Sequence, residues 1–273
     1  MFTGAYAVVT GGSSGIGLAC AEALAARGAH VALVARNTEK LARAKVVVEA
    51  CRLDPSQRII TASADLSDLA TTRAAFDELA AAGFVPDILV NSAGVILPGT
   101  FVTMPFEHLE TNMQCGYWSV VNPCRVVAPG MIERGRGHIV NVSSVAGFLG
   151  IYGYTGYAAA KYAVLGFTEA LRFELLPHGV SVHVVLPPDT DTPALDAERQ
   201  MRPAETEAIA GNIKAIAPAR VGEAVLRGIE RGKFHIIPDT TSRFYFRLKG
   251  LLPEVFFWIV DSDVKKAQKA LRR

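Results

Sequence analysis

Short apolar runs recur from one end of the chain to the other, and between them lie stretches whose apolar positions return at helical spacing. The runs at Tyr6–Thr10, His30–Ala35, Arg58–Ala64, Asp87–Asn91, His138–Ser143, Ser181–Leu186 and Phe234–Pro238 predict strands. Helices are predicted between them, among others over Leu18–Arg27, Thr38–Cys51 and Tyr157–Leu176. Most strand candidates are continuously apolar rather than alternating, the pattern of strands covered on both faces. Repeated β–α–β units imply right-handed crossovers, and so an α/β fold: a doubly wound sheet of about seven parallel strands with helices on both faces. No linker, low-complexity tract or internal repeat divides the chain. Residues 1–240 are therefore read as one domain and 241–273 as an extension of it.

Composition narrows this picture without redirecting it. Of 273 residues, 50% are hydrophobic and 20% charged, which suits a large buried core. A formal net charge of +2 gives no ground for a nucleic-acid partner. Cys20, Cys51, Cys115 and Cys124 have no ligand-type spacing, and no His/Cys/Asp cluster suggests a metal. They read as reduced, mostly buried thiols of a cytoplasmic protein, and no signal peptide is visible at the start. The tail is less ordinary. Phe244 to Val260 is rich in aromatics, and Lys265, Lys266, Lys269, Arg272 and Arg273 follow. Arg247, Lys249, Pro253 and Glu254 interrupt it, short of the ~18 apolar residues of a spanning helix. Two readings stay open: peripheral contact with the inner face of a membrane, or packing on its own domain or a sister subunit.

The first strand runs directly into Gly11-Gly-Ser-Ser-Gly15-Ile-Gly17 and then a helix closed by Gly28. Glycines there let the backbone turn tightly and let phosphate oxygens approach the helix N-terminus, where the dipole is positive. Placed between the first strand and first helix of a β–α–β unit, the turn predicts a dinucleotide site. After the second strand the chain reads Val34-Ala35-Arg36-Asn37, with no acid to accept from a ribose 2′-hydroxyl. Arg36 there, with Ser13 and Ser14 in the turn, predicts NADPH. Asp65 could accept from an adenine amine or cap a helix, and Asn91 could bridge neighbouring loops.

Ser144 ends the fifth strand, Tyr157 follows thirteen residues later, and Lys161 is four beyond it on the same helical face. Reduction of a ketone places negative charge on oxygen, so a positioned acid must deliver a proton. A free phenol is too weak an acid near neutrality, and a nearby ammonium would favour its phenolate. Ser144 could hydrogen-bond the carbonyl oxygen as charge develops.

On these residues the sequence resembles the short-chain dehydrogenase/reductase superfamily, from Tyr6 to about Pro238. Thr10 to Gly17 is similar to its cofactor motif, Asn91-Ser-Ala-Gly94 to its fourth-strand motif, and Tyr157-Ala-Ala-Ala-Lys161 to its active-site motif. The resemblance implies a Rossmann-like fold with strand order 3-2-1-4-5-6-7, a catalytic set of Asn112, Ser144, Tyr157 and Lys161, and homodimers or homotetramers. In that set the Asn112 backbone would hold a proton-relay water beside the lysine. It also implies cofactor contacts from Gly11, Ser13, Ser14, Gly15, Ile16, Gly17, Arg36, Asp65, Leu66, Asn91, Ala93, Gly94, Tyr157, Lys161, Pro187, Thr190 and Thr192.

One departure narrows the resemblance. Where the superfamily usually has Pro-Gly, this chain has Pro187-Pro-Asp-Thr-Asp-Thr-Pro193. That segment resembles the 3-ketodihydrosphingosine reductases, as do Leu33-Val-Ala-Arg-Asn37, Gly150 to Tyr157 and Pro203-Ala-Glu-Thr206. The resemblance implies a long-chain amino-ketone lipid substrate and NADPH. Without the amino-terminal anchor of the eukaryotic members, the chain resembles a bacterial, peripheral version. Thr192-Pro193 reads as the start of a helix, and residues 193–217 as a lid over the substrate. Asp189 or Asp191 could pair with a substrate ammonium or act as turn carboxylates; Phe148 and Tyr152, with Leu149 and the tail aromatics, could line an acyl groove. A reductase of another lipid ketone, and a non-catalytic NADP-binding regulator, are the alternatives.

Overall fold

Val31 through Val34 have no exposed surface, because helices close both faces of the strand they form. The computed structural model describes residues 1–210 and 214–271. Its strands are β1 (Tyr6–Thr10), β2 (His30–Ala35), β3 (Ile59–Ser63), β4 (Ile88–Asn91), β5 (Gly137–Val142), β6 (Val180–Val185) and β7 (His235–Ile236). They form one parallel seven-stranded sheet in the order β3-β2-β1-β4-β5-β6-β7. Predicted strands extend past several observed ends because a strand stops where its ladder partner does. At the edge, β7 pairs only with Val184 and Val185 of β6 and keeps two residues.

The helices are α1 (Gly15–Ala25), α2 (Thr38–Ala50), α3 (Leu69–Ala81), α4 (Phe106–Met113), α5 (Ser119–Arg134), α6 (Thr155–Leu175), α7 (Pro193–Arg199), α8 (Ala204–Ala210), α9 (Pro218–Glu230), α10 (Thr240–Leu251) and α11 (Pro253–Leu271). Alternate strand residues feed two apolar layers. Ala7, Val9, Leu33 and Val90 meet Leu24 of α1 and Val225 and Ile229 of α9. On the other face Val8, Val34, Leu89 and Ile139 meet Phe76 of α3, Met131 of α5 and Leu175 of α6. Truncating a buried leucine such as Leu24 to alanine would cost about 2–5 kcal/mol. Cys20 and Cys124 are buried, Cys51 and Cys115 only half so, and all four are free thiols.

Local chemistry sets the loops that face the site. Asn37 caps α2 by accepting from the Lys40 amide at 2.8 Å, and Asp68 caps α3 by accepting from Thr71 at 2.7 Å. Asp65 is thus not a helix cap; it holds Ser67 in the preceding turn instead. Thr192 caps α7, with Pro193 at its first position, as the sequence predicts. Of the expected lid, α7 and α8 are helical, and residues 211–213 lie outside the described residues. The aromatic tail forms α10 and α11, and Tyr245 and Phe246 of α10 pack on Phe148 and Ile237. Arg272 and Arg273 also lie outside the described residues. Among the described residues no helix is long and apolar enough to cross a membrane.

Candidate active site

Register puts Thr10, Asn91, Asn141 and Val184 side by side, so the C-terminal ends of β1, β4, β5 and β6 open onto one place. There, where the strand order reverses between β1 and β4, a cavity of about 930 Å³ runs along the sheet edge. One end is the glycine turn. Gly11 and Gly15 take positive φ, 65° and 56°, and a Cβ on Gly17 would stand 2.4 Å from the Gly11 carbonyl oxygen. Ser14, at the N-cap of α1, makes no side-chain capping bond, and no acid occupies the first turn. The positive end of α1 is therefore free to receive a phosphate, and the turn fits a dinucleotide. Gly17 itself does not line the cavity; its role is to let α1 approach the turn.

Farther along, Arg36, Asn37 and Lys40 face Asp65, Leu66 and Ser67 across the cavity. Ser67 donates to the Asp65 carboxylate at 2.7 Å, and this bond, with Arg36 nearby, holds Asp65 below its usual range. Ala93, Gly94, Pro187, Thr190 and Thr192 continue the wall. Asn91 lies beneath it, fully buried. It donates to Asn141 at 2.9 Å and accepts from Thr10 at 3.4 Å, tying three strands together without reaching the cavity.

At the other end stand Ser144, Tyr157 and Lys161, all lining the cavity. Ser143 is committed to the Lys161 carbonyl at 2.8 Å, whereas Ser144 lines the cavity and its Oγ accepts from the Ala146 amide at 3.1 Å. Burial pushes the phenol up to about 12; Ser144 opposes the shift, and the carboxylates of Asp189 and Glu198 add to it. Lys161 donates to the Val142 carbonyl at 3.1 Å, 5.7 Å from the Tyr157 ring centre, and burial pulls it down to about 8. The sequence argument held only that a nearby ammonium favours the phenolate. In the folded chain burial is the largest influence on the phenol and raises it, because it sits in a dry pocket. Asn112 is buried behind the cavity, and its side chain clamps Leu97 through bonds of 2.9 and 3.2 Å. A π-helical turn, Gln114–Trp118, follows it directly.

Of the four expected substrate residues, only Asp189 faces the cavity. Phe148 is turned into the apolar cluster under α10, because its ring stacks edge-on against Phe246. Tyr152 stands off the cavity, and its carbonyl accepts from Thr206 of α8 at 2.8 Å. Asp191 is exposed and stands off the cavity; its backbone amide donates to the Ile216 carbonyl at 2.9 Å. Leu149 and, of the tail aromatics, Tyr245 line the cavity as expected, but the sequence argument missed Lys40, Cys115, Tyr154, Glu198 and Arg202, which line it too. Only the Glu198/Arg202 spacing of one helical turn could have hinted at a pair.

A nucleotide-binding turn at a strand switch point, opening into the same cavity as a serine, a tyrosine and a lysine, defines a nicotinamide-dependent oxidoreductase. The family model for short chain dehydrogenase matches residues 5–203, and the chain belongs to that family. It is similar to a 3-ketodihydrosphingosine reductase of Bos taurus, 39% identical over 233 residues, 85% of this chain and 70% of that protein. A short-chain dehydrogenase/reductase from Burkholderia phymatum in complex with NAD superposes with a TM-score of 0.81 at 28% identity, covering 93% of this chain and 95% of the other. A short-chain dehydrogenase from Sphingobium yanoikuyae in complex with NADPH gives 0.77 at 28% identity, covering 92% and 94%.

Proposed function

We propose that this chain reduces the ketone of 3-ketodihydrosphingosine to the alcohol of dihydrosphingosine, with NADPH as reductant. The observation that carries the reading beyond the family is the cavity's continuation past Tyr157, between Leu149, Ile151, Leu195, Ile209 and Tyr245. That apolar wall suits a long hydrocarbon chain. The reductase of Bos taurus, by its similarity across most of both chains, supports the same substrate. NADPH is favoured over NADH by Arg36, just past the end of β2 where no acid stands, and by Lys40 in the first turn of α2.

When bound, the cofactor supplies a hydride to the ketone carbon. Everything else falls to the chain. Ser144 donates to the carbonyl oxygen and gains strength as negative charge develops there. Tyr157 keeps its proton at neutral pH and releases it to that oxygen as the alcohol forms. Lys161, charged below about pH 8, favours the phenolate that remains. Asn112 holds the loop at Leu97 and, with the π turn behind it, offers backbone to a relay water.

The test is NADPH oxidation followed by absorbance, with 3-ketodihydrosphingosine in detergent and NADH in parallel. Turnover with NADPH is expected; no turnover with either cofactor would refute the substrate. The tail belongs to the same proposal. Phe244, Leu251, Leu252, Phe257 and Trp258 are exposed on α10 and α11, and Lys265, Lys266 and Lys269 follow. This face suits the surface of an anionic membrane, where the lipid substrate resides. The dimer or tetramer of the family is carried over as part of this reading, and light scattering checks it.

A further inference from the structure

Four side chains from three segments meet on the cavity wall beside Tyr157. Arg202, whose side chain is 3% exposed, donates through Nε to both oxygens of Glu198, at 2.8 and 3.0 Å. Glu198 is itself 1% exposed and also accepts from the Tyr154 hydroxyl. Nη2 of Arg202 donates to Oδ2 of Asp189 at 2.9 Å, and Nη1 reaches the exposed Glu207 at 3.4 Å. Tyr154 and Tyr157 lie ring to ring, 5.9 Å apart, so the network abuts the reacting phenol.

The charges do not cancel. Arg202 and Glu198 are buried together, and burial makes each the other's counter-ion. Asp189 is left with charge to spare. Its Oδ2 is held by Arg202, and among the described residues its Oδ1 takes no hydrogen bond. Its backbone is fixed too: the carbonyl accepts from Ile216 at 2.9 Å, and Pro188 restricts the chain just before it. The carboxylate is thus held on the cavity wall that it shares with Tyr154 and Tyr157.

We propose that Glu198 and Arg202 are positioning residues that hold Asp189 with its second oxygen, Oδ1, left to meet a substrate ammonium, so that the site selects ketones bearing a free ammonium on the neighbouring carbon over N-acylated or amine-free ones. The inference rests on the amino-ketone reading above. It explains why an arginine faces a site for a cationic lipid: Glu198 neutralises it. An ammonium bound at Asp189 would also offset the carboxylate field that holds the Tyr157 proton.

The experiment compares kcat/KM for 3-ketodihydrosphingosine, its N-acetyl derivative and the amine-free ketone of the same length. It uses the full chain, Asp189→Asn and Glu198→Gln. The parent should prefer the free amine by about tenfold or more, the worth of one charge-assisted hydrogen bond. That preference should fade as pH rises through the pKa of the substrate amine. Asp189→Asn should bring the ratio toward one. Glu198→Gln should lower it as well, because Arg202 then turns its charge onto Asp189. A merely structural role would lower all constants together and leave the ratio intact, and that result overturns the proposal. If Glu198→Gln does not fold, the near-isosteric Asp189→Asn decides alone. Equal turnover of the three ketones by the parent refutes this selectivity and leaves the reductase standing; turnover of none refutes the reductase itself.

Discussion

Replacing Arg36 by serine removes the cation at the end of β2 while leaving the glycine turn, the sheet and the reacting residues untouched. A charge-assisted hydrogen bond to a phosphate is worth roughly 1.5–3 kcal/mol. Arg36 is exposed, so solvent and salt take back part of that, and Lys40 remains on the same stretch of wall. About 1–1.5 kcal/mol should be lost, a rise of roughly tenfold in the Kd of NADPH. NADH has no 2′-phosphate, and its Kd should change by less than about twofold, within the range of ordinary surface substitutions. Quenching of intrinsic fluorescence on titration with each cofactor measures both constants, and raising the salt to about 0.5 M should shrink the difference. Equal weakening of both cofactors would mean that Arg36 shapes the loop rather than reads the phosphate. A parent chain that binds NADH as tightly as NADPH would refute the argument outright.

Tyr157→Phe should leave the NADPH Kd within about twofold and lower kcat by about 10²–10⁴-fold, read by the absorbance assay; near-normal turnover would remove the tyrosine from its role. Because Lys161 is pulled down to about 8, its ammonium is present below that pH and lost above it. The rate of reduction should accordingly fall on an alkaline limb near pH 8, and a profile flat to pH 10 would contradict this. Gly17→Ala would force a Cβ to within 2.4 Å of the Gly11 carbonyl, so about 1–3 kcal/mol of stability and most cofactor affinity should go, checked by thermal melting with and without NADPH. Trp258→Ser with Phe257→Ser should weaken sedimentation with anionic vesicles and leave turnover in detergent nearly unchanged.

The sheet was legible because its strands are buried on both faces and so carry unbroken apolar runs; Val31–Val34 needs no partner to be recognised. Helix ends were harder. Glycines of the turn enter α1 at Gly15, and α5 continues through Pro123 and Pro129, where propensity argues against a helix. Most residues lining the glycine-turn end of the cavity are close neighbours in sequence along each strand end, so motif spacing pointed to them. The substrate wall is different. Asp189 and Asp191 are two apart and look alike on paper, but in the fold Asp189 lines the cavity and is held by Arg202, whereas Asp191 is exposed. Nothing but a spacing of four marks Glu198 and Arg202 in the sequence; Tyr154 and Asp189 are brought to them by contacts 44 and 13 residues distant.

The cavity's last wall comes from Asp239–Ser242 and Tyr245, in and just before α10, supplied by the final stretch of the chain. During synthesis β1, β2 and β3 can pair, and β4 and β5 can join them, well before that stretch leaves the ribosome. A nascent chain would therefore acquire its nucleotide half first and complete its lipid half only once α10 has been made. Premature termination near residue 239 would leave a protein able to take up cofactor but with the hydrocarbon channel open along one side.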